Sequence, residues 1–197
     1  AHPLFSFFKN ACVYSLRFAS AFDLEKLNDM LSAFPFMPCG ATDMSRTGWT
    51  PIIQGSDRYY HSTGNHLLLV AQPHKKILPA PVVKEAVAVR VDKLEQEQER
   101  QLKSTEKATI KDEMIHTLLP RAFTRNSSIQ MWIDLDNSRI VIDTVSARKA
   151  EEVLALLRKS MGSLPVVPMI TAEPIELTLT EWIRSGELPA GFLIGED

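Results

Sequence analysis

No stretch of the 197 residues is apolar for long enough to span a bilayer, so nothing in the sequence calls for a membrane-embedded helix. The start, Ala1-His2-Pro3-Leu4-Phe5, has no initiating Met and is too short and weakly basic for a signal peptide. It reads as a processed or appended start. Cysteine is scarce: Cys12 and Cys39 are the two present, and neither has a C-x-x-C or zinc-ligand spacing. One disulfide is the alternative to two buried thiols in a reducing cytosol, and the thiols are the expectation. Glycine patterns that cradle phosphates are missing, with no P-loop and no G-x-G-x-x-G. No G-x-S-x-G nucleophile is present either, and no cofactor is expected. His61, His66, His74 and His116 form no H-x-x-x-H and have no Cys or carboxylate at ligand spacing. They read as surface or hairpin histidines, and no metal site is expected.

A large charge excess is also lacking. The chain carries 22 basic and 24 acidic residues, which argues against a simple polyanion binder. The distribution says more than the total. Residues 1–74 are balanced, 75–126 hold 11 basic against 8 acidic, and 127–197 hold 6 against 11. The hydrophobic content of 45% is enough for a real core, in one domain or two small ones.

Within the basic middle, Lys93, Arg100, Lys103, Lys107 and Lys111 share one face of an expected long helix, with the neutral Gln96 completing the row. At 1.5 Å per residue the row would be roughly 27 Å long, enough to track a phosphate backbone for several nucleotides. A solvated helix face is the plainer reading. Val83, Val87, Val91 and Leu94 supply the apolar side. Continued by helical steps, the basic row meets Met114 and Leu118, so either the helix breaks near Ser104-Thr105 or Thr109, or its end enters a core or a partner. Thr109-x-x-Asp112 resembles a new capping box, which favours a break. Pro120 ends the segment.

The rest reads as α+β, with antiparallel sheets built from hairpins and packed helices. Ala11–Phe18 reads as a strand, then Asp23 caps a helix with Leu24, Leu27, Met30 and Leu31 on one side, stopped by Pro35. Residues 40–55 read as irregular. Tyr59–Ser62 and His66–Gln72 flank Thr63-Gly64-Asn65 as a hairpin, and Pro73, Pro79 and Pro81 break the chain after it. Ser128–Leu135 and Arg139–Val145 flank Asp136-Asn137-Ser138 as a second hairpin. Ser146 caps a helix striped with Ala150, Val153, Leu154 and Leu157, and Gly162 closes it. Glu176–Leu179 reads as a further strand leading to Glu181–Gly186. Strand, helix and a Pro-x-x-Pro run occur early (Pro35–Pro38) and late (Pro165–Pro168), a weak echo of duplication. The organisation expected is an α+β unit over 1–74, a basic helical segment over 75–126 and a second α+β unit over 127–197, forming one or two compact domains.

Chemistry is thin. Asp134, Asp136 and Asp143 resemble the carboxylates of a two-metal nuclease, with Asp134 and Asp143 as prospective strand neighbours. Turn and strand-end acids are the plainer reading, and no enzyme is expected. Binding chemistry fares better. Arg121 and Arg125 add two guanidinium forks beside the row. Phe123 between them is a core anchor, a subunit contact or a base-stacking ring.

These residues carry a resemblance. Lys75–Pro79, Thr105–Lys107, Lys111–Glu113 and Leu118–Phe123 resemble segments of the RdgC family of recombination-associated proteins. So do Phe8–Asn10, Pro38–Gly40, Met131–Asp134, Ala155–Ser160, Gly162–Pro168 and Pro174–Trp182. The match is collinear over about residues 7–186. The resemblance implies a bacterial, cytoplasmic, nucleoid-associated protein that forms a homodimeric ring with a positively charged hole for duplex DNA. It implies binding with little sequence preference, restraint of RecA-promoted recombination by occupying DNA, and no catalysis. Family members extend well beyond the C-terminal end of this chain, so ring closure by this length is open. The basic residues expected at DNA are Lys76, Lys84, Arg100, Lys103, Lys107, Lys111, Arg121 and Arg125, and Phe123 is the expected dimer contact. The rival class is a protein-interaction or dimerisation module that does not itself touch DNA.

Overall fold

The computed structural model describes residues 11–17, 23–162 and 166–168. Phe18, the expected strand Glu176–Leu179 and the segment Glu181–Gly186 lie outside them, as do Leu164 and Pro165 of the late Pro-x-x-Pro run. The element order is β1 (Cys12–Leu16), α1 (Leu24–Ser32), β2 (Ser45–Thr50), β3 (Tyr60–Thr63), β4 (His66–Ile77), α2 (Ala80–Gln98) and α3 (Ser104–Leu118). A 3-10 turn (Leu119–Arg121), β5 (Phe123–Asn126), β6 (Ile129–Asp134), β7 (Arg139–Ile142), α4 (Ala147–Met161) and β8 (Val166–Pro168) follow. This is the expected α+β class. The backbone path β2-β4-β6-β7-β1-β8 forms one sheet, with β3 and β5 both paired to β4. All recorded strand pairs are antiparallel.

The chain divides into two compact units. The first comprises residues 1–37, 47–73 and 127–197, and the second residues 38–46 and 74–126.

In the first unit, alternation along the strands builds the core. Tyr14 and Leu16 of β1, Leu67, Leu69 and Ala71 of β4, Ile129, Met131 and Ile133 of β6, and Ile140 and Ile142 of β7 enter one cluster. Leu27 and Leu31 of α1 join it, as do Ala150, Val153, Leu154 and Leu157 of α4. The intervening Leu68, Val70, Trp132 and Val141 are buried too, so these strands read as continuous apolar runs rather than clean alternation. Both helix starts use the expected caps: Asp23 accepts from the Glu25 amide and Ser146 from the Lys149 amide. Gly162 ends α4 with a φ of 85°.

Two expectations fail here. Residues 40–55 contain strand β2. Its sequence, Ser-Arg-Thr-Gly-Trp-Thr, has one large apolar residue, so no alternation betrays it. Tertiary partners make it a strand: the Phe36 amide donates to the Trp49 carbonyl at 2.8 Å and the Trp49 amide to the Phe34 carbonyl at 2.9 Å. The approach is so close that a Cβ on Gly48 would lie 2.3 Å from the Pro35 carbonyl oxygen. Nor does Pro73 end β4, which continues to Ile77. The proline sits where β4 changes partner. Residues 66–71 pair with β6, residues 74–77 with β5, and Pro73 accepts from Ser127 while having no N–H to give.

In the second unit, α2 and α3 pack together as a helical hairpin, and Val83, Leu102, Ile110 and Leu119 are buried. His74 anchors residues 38–46 to β4. Its Nδ1 accepts from the Cys39 amide at 2.7 Å, and the Cys39 thiol donates to the His74 carbonyl at 3.1 Å. Cys12 and Cys39 are both free thiols. No helix among the described residues is long and apolar enough to cross a membrane.

Candidate nucleic-acid interface

The expected break in the long helix falls at its earlier place. α2 stops at Gln98, and Glu99 takes a left-handed conformation with φ 48° and ψ 40°. α3 restarts at Ser104, with Lys103 at the N-cap. The Thr109–Asp112 capping box does not form. Thr109 lies inside α3, with its hydroxyl donating to the Thr105 carbonyl at 3.1 Å. Glu106 does the capping instead, accepting from the Lys103 amide at 2.7 Å. Glu95 closes the other side by accepting from the Leu102 amide at 3.1 Å.

The five-residue basic row is therefore not one helix face. Lys93 belongs to α2, Arg100 to the link, and Lys103, Lys107 and Lys111 to the start of α3. These last three are exposed and spaced by four, so they stand along one side of α3 over about 12 Å. Arg100 is committed elsewhere. Its two terminal nitrogens donate to the two oxygens of Glu106, at 2.6 and 3.1 Å. That fork holds the Glu106 carboxyl down at about 2, helped by the Lys103 amide. The same bond raises the Arg100 guanidinium. A phosphate at Arg100 would have to displace a matched carboxylate.

Lys84 is exposed on α2, Arg121 is exposed in the 3-10 turn, and Arg125 is exposed on β5. Lys76 is half-buried on β4, and its ammonium donates to the Leu119 carbonyl at 2.8 Å, closing the end of the α3 segment. All eight candidate cations fall within residues 74–126 of the second unit. Phe123 is 84% exposed, which removes the core reading among the described residues. It stands directly opposite Ile77, itself 46% exposed, in the β4–β5 register.

Of the acids considered for a metal-dependent nuclease, Asp143 lies apart from Asp134 and Asp136. Asp134 opposes Arg139 at the turn end of the β6–β7 hairpin, whereas Asp143 follows β7 at the far end, its amide donating to Gln130. The fold does bring His66 to Asp134 and Asp136, with one ligand-type atom from each within 4.8 Å of the others. Sequence spacing gave no sign of this, because His66 and Asp134 meet only through the β4–β6 register. Those three could hold a cation, but their atoms already tie two turns together. The Asn137 amide and side chain donate to Asp134 at 3.1 and 2.7 Å, and the Asn65 side chain donates to Asp136 at 2.7 Å. Arg139 lies 3.5 Å from the same Asp134 carboxylate and competes with any metal. Burial pushes the Asp134 carboxyl up, but the Asn137 hydrogen bonds and the charges of His66 and Arg139 outweigh it and hold it below the usual range.

The profile of a protein family described as "Putative exonuclease, RdgC" matches residues 6–197. The chain belongs to the RdgC family. The recombination-associated protein RdgC of Serratia proteamaculans (strain 568) is 50% identical over 191 residues, covering 96% of this chain and 63% of the relative. The protein of the same name from Edwardsiella ictaluri (strain 93-146) is 51% identical with the same coverage. That from Enterobacter sp. (strain 638) is 52% identical over 186 residues, 94% of this chain and 61% of the relative. The chain thus spans less than two thirds of the length of these RdgC relatives. The family description carries the word exonuclease, while the relatives' names speak of recombination.

Proposed function

We propose that this chain is the part of a recombination-associated protein that binds duplex DNA without sequence preference and acts as a homodimer. Occupying the duplex would restrain RecA-promoted recombination at the nucleoid. The observation that carries the DNA contact is the run of Lys103, Lys107 and Lys111 along one exposed side of α3, with Lys84, Arg121 and Arg125 exposed in the same unit. Lysines at one-turn spacing match phosphates, which are charged and repeat regularly, rather than base edges. Binding rather than catalysis by a carboxylate set is the reading, and it is supported by Asp143 lying at the opposite end of the hairpin from Asp134 and Asp136.

The exposed Phe123–Ile77 pair favours a subunit contact. A protein-interaction module that never touches DNA is the second reading, and that apolar pair is what supports it.

Equilibrium titration of unrelated duplexes over a salt series separates the two. DNA binding through phosphates gives a steep fall in affinity with salt and nearly equal affinities for all sequences. Binding that is absent, or flat with salt, leaves the interaction module.

A further inference from the structure

We infer that Glu106 masks Arg100 from a phosphate backbone, so that the Arg100–Glu106 pair at the link between α2 and α3 is an autoinhibitory contact on the lysine run of α3. The inference rests on the DNA-binding function proposed above and deepens it by naming the residue that limits how many phosphates the site engages.

The link does not depend on this pair for its shape. The Glu99 and Arg100 amides both donate to the Glu95 carbonyl, the second at 3.3 Å. The Leu102 amide donates to the Glu95 carboxylate at 3.1 Å, and the Leu102 side chain is buried. The Lys107 amide donates to the Lys103 carbonyl at 3.0 Å. Glu106 contributes the cap of α3 by accepting from the Lys103 amide at 2.7 Å. A neutral glutamine at this third helical position makes the same cap. The negative charge of Glu106 is therefore not what the cap requires.

That charge is matched to Arg100. The two terminal nitrogens of the guanidinium meet the two carboxylate oxygens at 2.6 and 3.1 Å, so both parallel donor positions that would suit a phosphate are filled. The side chains are 45% and 37% exposed, and an exposed pair of this kind adds little to stability. Its effect is on the field. Arg100 lies three residues before Lys103, and Glu106 lies one before Lys107, so the pair is level with the first turn of the run. Without the carboxylate the run gains a fourth cation at its N-terminal end. With it, Arg100 is neutralised. The Arg100 fork, helped by the Lys103 amide, holds the Glu106 carboxyl at about 2. The contact thus stays charged at neutral pH and is released by substitution or by a competing anion, not by protonation.

The test uses the 197-residue chain with a fluorescent duplex, measured by anisotropy between about 50 and 200 mM salt, with Tm recorded for each variant. Compared with the unmodified protein are Glu106→Gln, Arg100→Gln and the double variant. Glu106→Gln keeps the cap and frees the guanidinium. It binds the duplex more tightly, and its slope of log affinity against log salt is steeper by about one. Its advantage therefore shrinks roughly three- to four-fold across that salt range. Arg100→Gln leaves the slope unchanged. In the double variant the slope returns to that of the unmodified protein, because no guanidinium remains to be freed. If Glu106→Gln gives the same gain with Arg100 absent, the gain belongs to removal of an acid and the mask is wrong. A slope that falls by about one in Arg100→Gln alone overturns it too, because DNA would already open the pair. That measurement needs no change at Glu106 and decides the question even if Glu106→Gln lowers Tm. Steep binding by the unmodified protein, with no gain in a folded Glu106→Gln, sinks the mask and leaves the DNA function standing. Absence of salt-dependent binding in both the unmodified protein and Glu106→Gln sinks both.

Discussion

The buried indole N–H of Trp49 donates to the Ser160 hydroxyl at 2.8 Å, joining β2 to α4 across 111 positions of sequence. Ser160 passes the bond on, donating to the Leu156 carbonyl at 2.8 Å inside its own helix. This short chain lets a fully buried tryptophan sit in an otherwise apolar core with its polar atom satisfied.

Ser160→Ala leaves the Trp49 N–H buried without a partner, and we expect a loss of about 1–3 kcal/mol in urea unfolding. Trp49→Phe in that background removes the orphaned donor, so the hydrogen-bond part of the loss should shrink in a double-mutant cycle. Equal, additive losses would show that the bond contributes nothing specific.

Lys103, Lys107 and Lys111 changed together to Ala should weaken duplex binding and lower the salt slope by about three. Arg100→Ala should leave the slope almost unaltered, because its guanidinium is already neutralised by Glu106. A large slope change at Arg100 would mean that DNA opens the Arg100–Glu106 pair.

Phe123→Ala should leave Tm unchanged, since the ring is 84% exposed within one protomer, and should shift the protein toward monomer in sedimentation over a concentration series. A lowered Tm with no change in association would place the ring in a core after all.

Acid stability should depend on the turn acid Asp134. Its folded pKa is depressed, so its contribution is present above the unfolded value of 3.8 and fades as the pH falls below it. Asn137→Ala removes the side-chain hydrogen bond to Asp134 and keeps the one from the backbone amide. The difference in urea midpoint between this variant and the unmodified protein should narrow from about pH 5 to about pH 2. A constant difference would assign the effect of Asn137 to turn geometry alone.

Elements whose own residues set their conformation were legible in the sequence. The stripe Ala150, Val153, Leu154 and Leu157, the Ser146 cap and the Gly162 stop defined α4, and the Asp136-Asn137-Ser138 turn marked the β6–β7 hairpin. Elements set by remote partners were not legible. β2 exists because Phe34 and Phe36 bond to Trp49, and the course of β4 past Pro73 depends on β5 lying alongside. The basic row failed for a related reason. α2 ends at Gln98, inside the row, because Glu99 takes a left-handed conformation that usually calls for glycine and that no residue type there announces. The His66–Asp134 approach likewise exists only in three dimensions.

Strand β4 has a further consequence during synthesis. Its partners in β6 arrive late: Ala71 waits 58 positions for Ile129, and His66 waits 68 for Asp134. At about 5–20 residues per second, a ribosome needs on the order of 3–14 seconds to supply them. The α2–α3 hairpin emerges in that interval and is local enough to close at once. Meanwhile β3 already lies along one edge of Leu67, Leu68 and Leu69, but the edge that will meet β6 stays open on an apolar run, a natural target for chaperones that bind nascent chains. Conditions that slow translation between residues 71 and 129 should therefore lower soluble yield without altering the finished fold.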